Sequence, residues 1–131
     1  MIAKYRAWDK TRNEMNYRVM VGNCDTDDEN WTCPIIWIEE KKDWLHFDDY
    51  DSIMQSTGLK DKNGKEIFEG DILKNNKYIT SVFYERGAYC VKFRRTTNTT
   101  VTMNVISFIE KYKTKVIGNI YENPELLEVK E

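Results

Sequence analysis

Apolar residues in this chain recur mainly at alternate positions and in short runs, a pattern that specifies strands. Ile2 to Asp9 (IAKYRAWD) and Glu14 to Val21 (EMNYRVMV) flank a polar turn and predict a hairpin, its first arm an edge or half-buried strand. Gly22 to Asn30 reads as an acid-rich loop, and Pro34 to Glu39 and Asp43 to Phe47 as two further short strands. His46 to Asp51 is again acidic and loop-like. Tyr78 to Glu85 and Ala88 to Arg94 form the clearest hairpin, turning at Arg86-Gly87, where Gly87 can supply a positive φ. In its second arm Tyr89, Val91 and Phe93 share one face, and Cys90, Lys92 and Arg94 the other. Arg95 to Thr100 is a second polar turn, Val101 to Met103 starts another strand, and Lys115 to Ile120 is the last.

The period changes once. Val105, Ile106, Phe108, Ile109 and Tyr112 follow at helical spacing, with Asn104 placed to cap and the lysines of 111–115 suited to the helix C-terminus. Many short strands and one short helix predict a mainly β fold, an N-terminal β-meander followed by a small SH3-like β-barrel. The expected organisation is a single domain over 1–131, with the N-terminal strands at about 1–50, the barrel at about 51–123 and a tail at 124–131.

The chain's 131 residues are enough to bury one core without staples. With 20 Lys and Arg against 22 Asp and Glu, a strongly basic surface is excluded for the protein as a whole, though not locally. The N-terminus is charged throughout, with no apolar run of signal-peptide length, and nothing approaches a membrane span. The three cysteines, Cys24, Cys33 and Cys90, then read as reduced thiols, and the expected location is the cytoplasm.

Three glycines fall six apart in Ser56 to Lys74 (STGLKDKNGKEIFEGDILK), which raises the question of a ligand loop. A phosphate loop requires four residues between its glycines and then Lys-Ser/Thr; Gly58 and Gly64 enclose five, and Lys65 is followed by Glu66. A calcium loop with Gly64 sixth would start at Leu59 and end at Gly70, neither of which is a ligand. Turn chemistry fits better. Asp61-Lys62-Asn63-Gly64 suits a type I turn, Asn63-Gly64 alternatively a two-residue hairpin centre, and Gly70-Asp71 opens the next strand. Gly58, Asn63, Gly64, Gly70 and Gly87 are therefore expected to be structural turns, with Ile67 and Phe68 in the core.

The run Met54 to Ile72 closely resembles a signature of the YopX family, small phage and prophage proteins of uncharacterised function. Tyr5-Arg6-Ala7-Trp8-Asp9 looks like its N-terminal signature, and Val116 to Leu127 (VIGNIYENPELL) like its closing one. Ser56 departs from the aromatic residue expected there, and Phe68 from the common tyrosine. The resemblance implies a mainly β fold and a phage or prophage origin, and brings no activity with it.

Candidate chemistry is sparse. Cys24, Cys33, Cys90 and the lone His46 lack zinc-site spacing, so thiols without metal are expected, and no cofactor is implied. Asp25, Asp27, Asp28 and Glu29, and Asp48, Asp49 and Asp51, read as solvated loop acids rather than a two-metal centre. Lys92, Arg94 and Arg95, with Lys111, Lys113 and Lys115, could form a basic patch, with Tyr84, Tyr89 and Phe93 near it in sequence. Trp31, Trp37 and Trp44 crowd the segment outside the family signatures and are candidates for protein contact. The expectation ranked first is therefore a non-enzymatic phage or prophage accessory protein, working by contact with a host or phage protein or by homo-oligomerisation. The alternative is a small-barrel nucleic-acid-binding module using Lys92, Arg94 and Arg95.

Overall fold

The computed structural model describes residues 4–10, 12–23, 34–38, 43–46 and 52–127. The protein is mainly β with one short helix, and it divides into two compact units, Met1–Gln55 and Ser56–Glu131.

The first unit is an antiparallel sheet built from β1 (Tyr5–Asp9), β2 (Glu14–Asn23), β3 (Pro34–Ile38) and β4 (Asp43–His46), in the order β4-β3-β2-β1. The first residues of β5 (Ser52–Lys60) pair with the other side of β1, setting Trp8 opposite Ser52 and Tyr5 opposite Gln55. β1 is therefore flanked on both sides and is not an edge strand. Arg6, Ala7 and Trp8 are all buried in succession, which alternation alone could not indicate. Between Tyr5 and Ala7 the register slips by one residue, and the Asn16 side-chain oxygen accepts the Arg18 amide beside this bulge.

The second unit begins within β5. Gly58 lies inside that strand rather than in a turn. Its φ of +81° accompanies a register shift against β6 (Glu66–Phe68). Two hydroxyls take over the bonding there. Ser56 Oγ accepts the Gly58 amide and donates to Glu66; Thr57 Oγ1 accepts the Leu59 amide and donates to the Ile67 carbonyl. The β5–β6 hairpin closes as expected with Asp61 first and Gly64 last, the Gly64 amide donating to the Asp61 carbonyl at 3.0 Å. The Asp61 amide donates to Lys65, and Gly64 has a φ of +83°. This is a type I turn completed by a left-handed glycine.

Two three-stranded antiparallel sheets follow, β12-β7-β8 and β11-β10-β9, curled as a half-barrel. Their strands are β7 (Asp71–Lys74), β8 (Ile79–Ser81), β9 (Phe83–Glu85), β10 (Ala88–Arg94), β11 (Thr100–Asn104) and β12 (Lys115–Asn119). The expected single strand Tyr78 to Glu85 is thus broken. At buried Val82 the chain leaves one sheet for the other, its amide donating to Asp71 and its carbonyl accepting from Gly70. Thr80 joins the two sheets, its hydroxyl donating to the Lys92 carbonyl at 2.7 Å and accepting the Lys92 amide.

Residues Ile67, Leu73, Val82, Val91, Phe93, Val105 and Phe108 make the buried core of this unit. Cys90 is buried too, on the face of β10 expected to be polar, while Lys92 and Arg94 on that face are exposed. Helix α1 (Val105–Lys111) buries Val105 and Phe108 but leaves Ile106 about half exposed, because one residue along a helix turns the side chain by about 100°. Asn104 holds the N-cap position without a side-chain cap bond; its Oδ1 lies 3.7 Å from Cys90 Sγ instead.

The Arg86-Gly87 turn has positive φ at both residues, +50° and +83°, as a type I′ hairpin requires. A Cβ at Gly87 would meet nothing within 4 Å, so Gly87→Ala is expected to cost only the backbone strain, about 1 kcal/mol. Thermal unfolding checks this, and a loss several times larger would mean that the turn is packed against something.

Candidate nucleic-acid interface

The residues that carry the family resemblance are occupied in holding backbone. Asp61 accepts the amides of Asn63 and Lys65 through Oδ1 and, across the unit, that of Val116 through Oδ2, all at 2.8 Å. Burial alone would raise its pKa; the three amides and the nearby Lys65 charge outweigh that and hold it below the ordinary value. Asp71 Oδ2 accepts the Phe68 amide, and Asn119 Oδ1 accepts those of Tyr121 and Glu122. Gly118 leaves room for the Asn123 side chain, into which a Cβ would collide, and Asn123 Oδ1 accepts the Asn119 amide. The central and closing signatures also meet directly, since the Ile120 amide donates to the Gly70 carbonyl, and the Lys62 amide donates to Thr114 just before the closing one. The signature side chains described here thus stitch strands together.

A different set of residues faces solvent in a groove. On β10, Lys92 and Arg94 project outward two residues apart, and Arg95 continues from the strand's end. The loop before β8 brings Lys77 and Tyr78 alongside, held by the Asn75 Oδ1 atom, which accepts both of their amides. The resulting open groove, about 690 Å³, is lined by these residues with Ile79, Phe93, Thr96 and Thr97. Four cations border it and no acid does. No ion pair to another described residue occupies any of the four. Tyr78 packs on the buried Phe93 ring, centroids 4.2 Å apart, so the groove also has aromatic surface.

The structure thus brings Lys92, Arg94 and Arg95 together and adds Lys77 and Tyr78. These two escaped sequence reading because they precede Lys92 by about fifteen positions and adjoin another sheet; the Thr80–Lys92 and Tyr78–Phe93 contacts reveal the adjacency. Phe93 is core, and Tyr84 and Tyr89 pair with each other as cross-strand neighbours, ring centroids 5.1 Å apart, outside the groove. Lys115 lies opposite Lys74 on the β12–β7 ladder, also outside it. The β3–β4 register sets Trp37 opposite Trp44. Trp31, Cys24, Cys33 and both acidic clusters lie outside the described residues.

Charge is unevenly divided along the chain. Residues 1–55 hold seven Lys and Arg against twelve Asp and Glu, and residues 56–131 hold thirteen against ten. The near-neutral total therefore conceals a basic second unit, the one that carries the groove.

A family model described as YopX protein matches residues 4–128. The chain belongs to the YopX family. It is similar to a solved structure, protein EF1440 from Enterococcus faecalis, with 32% identity and a TM-score of 0.64, covering 97% of this chain and 99% of that one. No curated protein matches it. Among the described residues of this YopX protein no helix is long and apolar enough to cross a membrane.

Proposed function

We propose that this YopX protein is a non-enzymatic binding protein, phage- or prophage-encoded, whose second unit holds single-stranded nucleic acid in the groove between β8 and β10. One observation carries the reading: Lys77, Lys92, Arg94 and Arg95 converge on a groove bordered by no acid. Cations there that form no ion pair with another described residue have phosphate as a natural counter-charge, and each contact releases counterions. The half-buried Tyr78 ring, backed by the buried Phe93, and the hydroxyls of Thr96 and Thr97 supply surface for sugars and bases, which favours a nucleic acid over an acidic peptide.

The test is fluorescence anisotropy of a short labelled oligothymidylate over a salt series. Four phosphate contacts on a single strand predict a slope of log affinity against log salt near −3, at about −0.7 per contact. Arg94→Gln with Arg95→Gln removes two contacts, which should halve the slope and weaken binding about 25-fold at roughly 0.1 M salt. Unchanged binding in that variant overturns the reading. If polyglutamate competes as well as the oligonucleotide, the groove senses charge alone and an acidic protein segment becomes the better partner. A wild-type protein that binds no oligonucleotide leaves the protein-contact expectation, with Trp37 and Trp44, as the one to pursue.

A further inference from the structure

A second, smaller groove of about 200 Å³ adjoins the first, lined by Asn75, Asn76, Lys77, Lys111, Tyr112 and Lys113. Lys77 lines both grooves. The aromatic surface is continuous as well, because Tyr78 of the first groove meets Tyr112 of the second edge-on, centroids 5.5 Å apart. Lys111 sits with its ammonium 5.7 Å from the centroid of the Tyr112 ring. The smaller groove has no acidic residue in its lining either.

From this continuity we infer that the two grooves form one track, and that the ligand is a strand long enough to run from Arg95, past Lys77, to Lys113. The inference rests on the nucleic-acid reading above and adds to it a polymer requirement and a direction across the surface. A mononucleotide or free phosphate calls for an enclosed site with a few convergent polar groups. This surface instead offers an open series of six cations, Arg94, Arg95, Lys92, Lys77, Lys111 and Lys113, beside a row of rings. Repeating charge matched to repeating charge, with aromatic surface alongside, is how sequence-tolerant single-strand binders work. The tertiary fold alone creates the row: β10, the loop before β8 and the end of α1 are separated in the chain and are brought together by contacts that include the Phe93–Phe108–Tyr112, Tyr78–Phe93 and Tyr78–Tyr112 rings.

The experiment compares labelled oligothymidylates of about 4 and about 16 nucleotides, the range of known site sizes for small barrels. The full-length protein is used, as wild type and with Lys111→Gln plus Lys113→Gln, which keeps the apolar stems beside Tyr112. The long oligonucleotide should bind wild type more tightly and with a steeper salt slope, by about 1.4 for two extra contacts. The double variant should weaken the long one about 25-fold at roughly 0.1 M salt and leave the short one within about twofold. Lys111→Arg with Lys113→Arg should restore the long-strand affinity, which a fold defect would not allow. Equal affinity of wild type for both lengths overturns the track while leaving the first groove's role standing. Equal weakening of both lengths in the glutamine variant overturns it too. Failure of both oligonucleotides to bind wild type removes the nucleic-acid reading and the track together.

Discussion

Asp61→Ala is expected to destabilise the protein by about 3 kcal/mol, since one carboxylate serves three backbone amides and hydrogen bonds to a charged group contribute about 1.5–3 kcal/mol each. The lower part of the additive range applies because Lys62 to Lys65 are exposed, so water can replace the carboxylate at Asn63 and Lys65. The Val116 amide, on a half-buried strand residue, is the costly one. For a segment of this size, such a loss lowers the melting temperature by roughly 12–24 °C. Asp61→Asn should lose less, because its carbonyl oxygen can still serve the turn amides while its NH2 group faces Val116.

The same residue sets a pH dependence. Its folded pKa lies below the unfolded value near 3.9, so in the window between them the unfolded chain binds the proton and the folded one does not. Stability from Asp61 is therefore complete above the unfolded value and is lost as pH falls through the folded one. Wild-type melting temperature should be level from pH 7 to about 5 and drop below about 4, and Asp61→Asn should show a shallower drop. Parallel acid curves for the two proteins would contradict this role.

Phe108→Ala is the other large effect. The ring is fully buried and lies 5.5 Å from that of Phe93 and 5.3 Å from that of Tyr112. Removing it should cost about 3–5 kcal/mol, lost transfer free energy plus the cavity left behind. That is a large part of a typical total stability of about 5–15 kcal/mol. The effect reaches the groove, because Phe93 supports Tyr78 and Phe108 supports both Phe93 and Tyr112. Phe108→Leu, which keeps most of the apolar volume, should cost about 1.5 kcal/mol and keep oligonucleotide affinity. Chemical denaturation measures both, and a Phe108→Ala loss under 1 kcal/mol would mean that the ring is not central to this core.

Much of this protein is local, and the sequence alone determined that part. Alternation set the strands, the Asp61 and Arg86-Gly87 turns followed from residue chemistry, and the family resemblance rested on three stretches whose residues turn and pair backbone. Such features depend on neighbours within a few positions, so a linear pattern records them. Tertiary structure decided what depends on distant partners. It made β1 an inner strand, broke Tyr78 to Glu85 at Val82, and turned Gly58 from a turn residue into a bulge whose amide bonds to Ser56. It buried Cys90 on a face that alternation had marked polar. Above all it assembled the groove. Lys92, Arg94 and Arg95 were legible as a short cluster, yet Lys77 and Tyr78 joined them because Thr80 binds β8 to β10 and Tyr78 packs on Phe93. Charge read along a chain sums to near zero; charge folded onto a surface need not, because packing chooses which residues share a face.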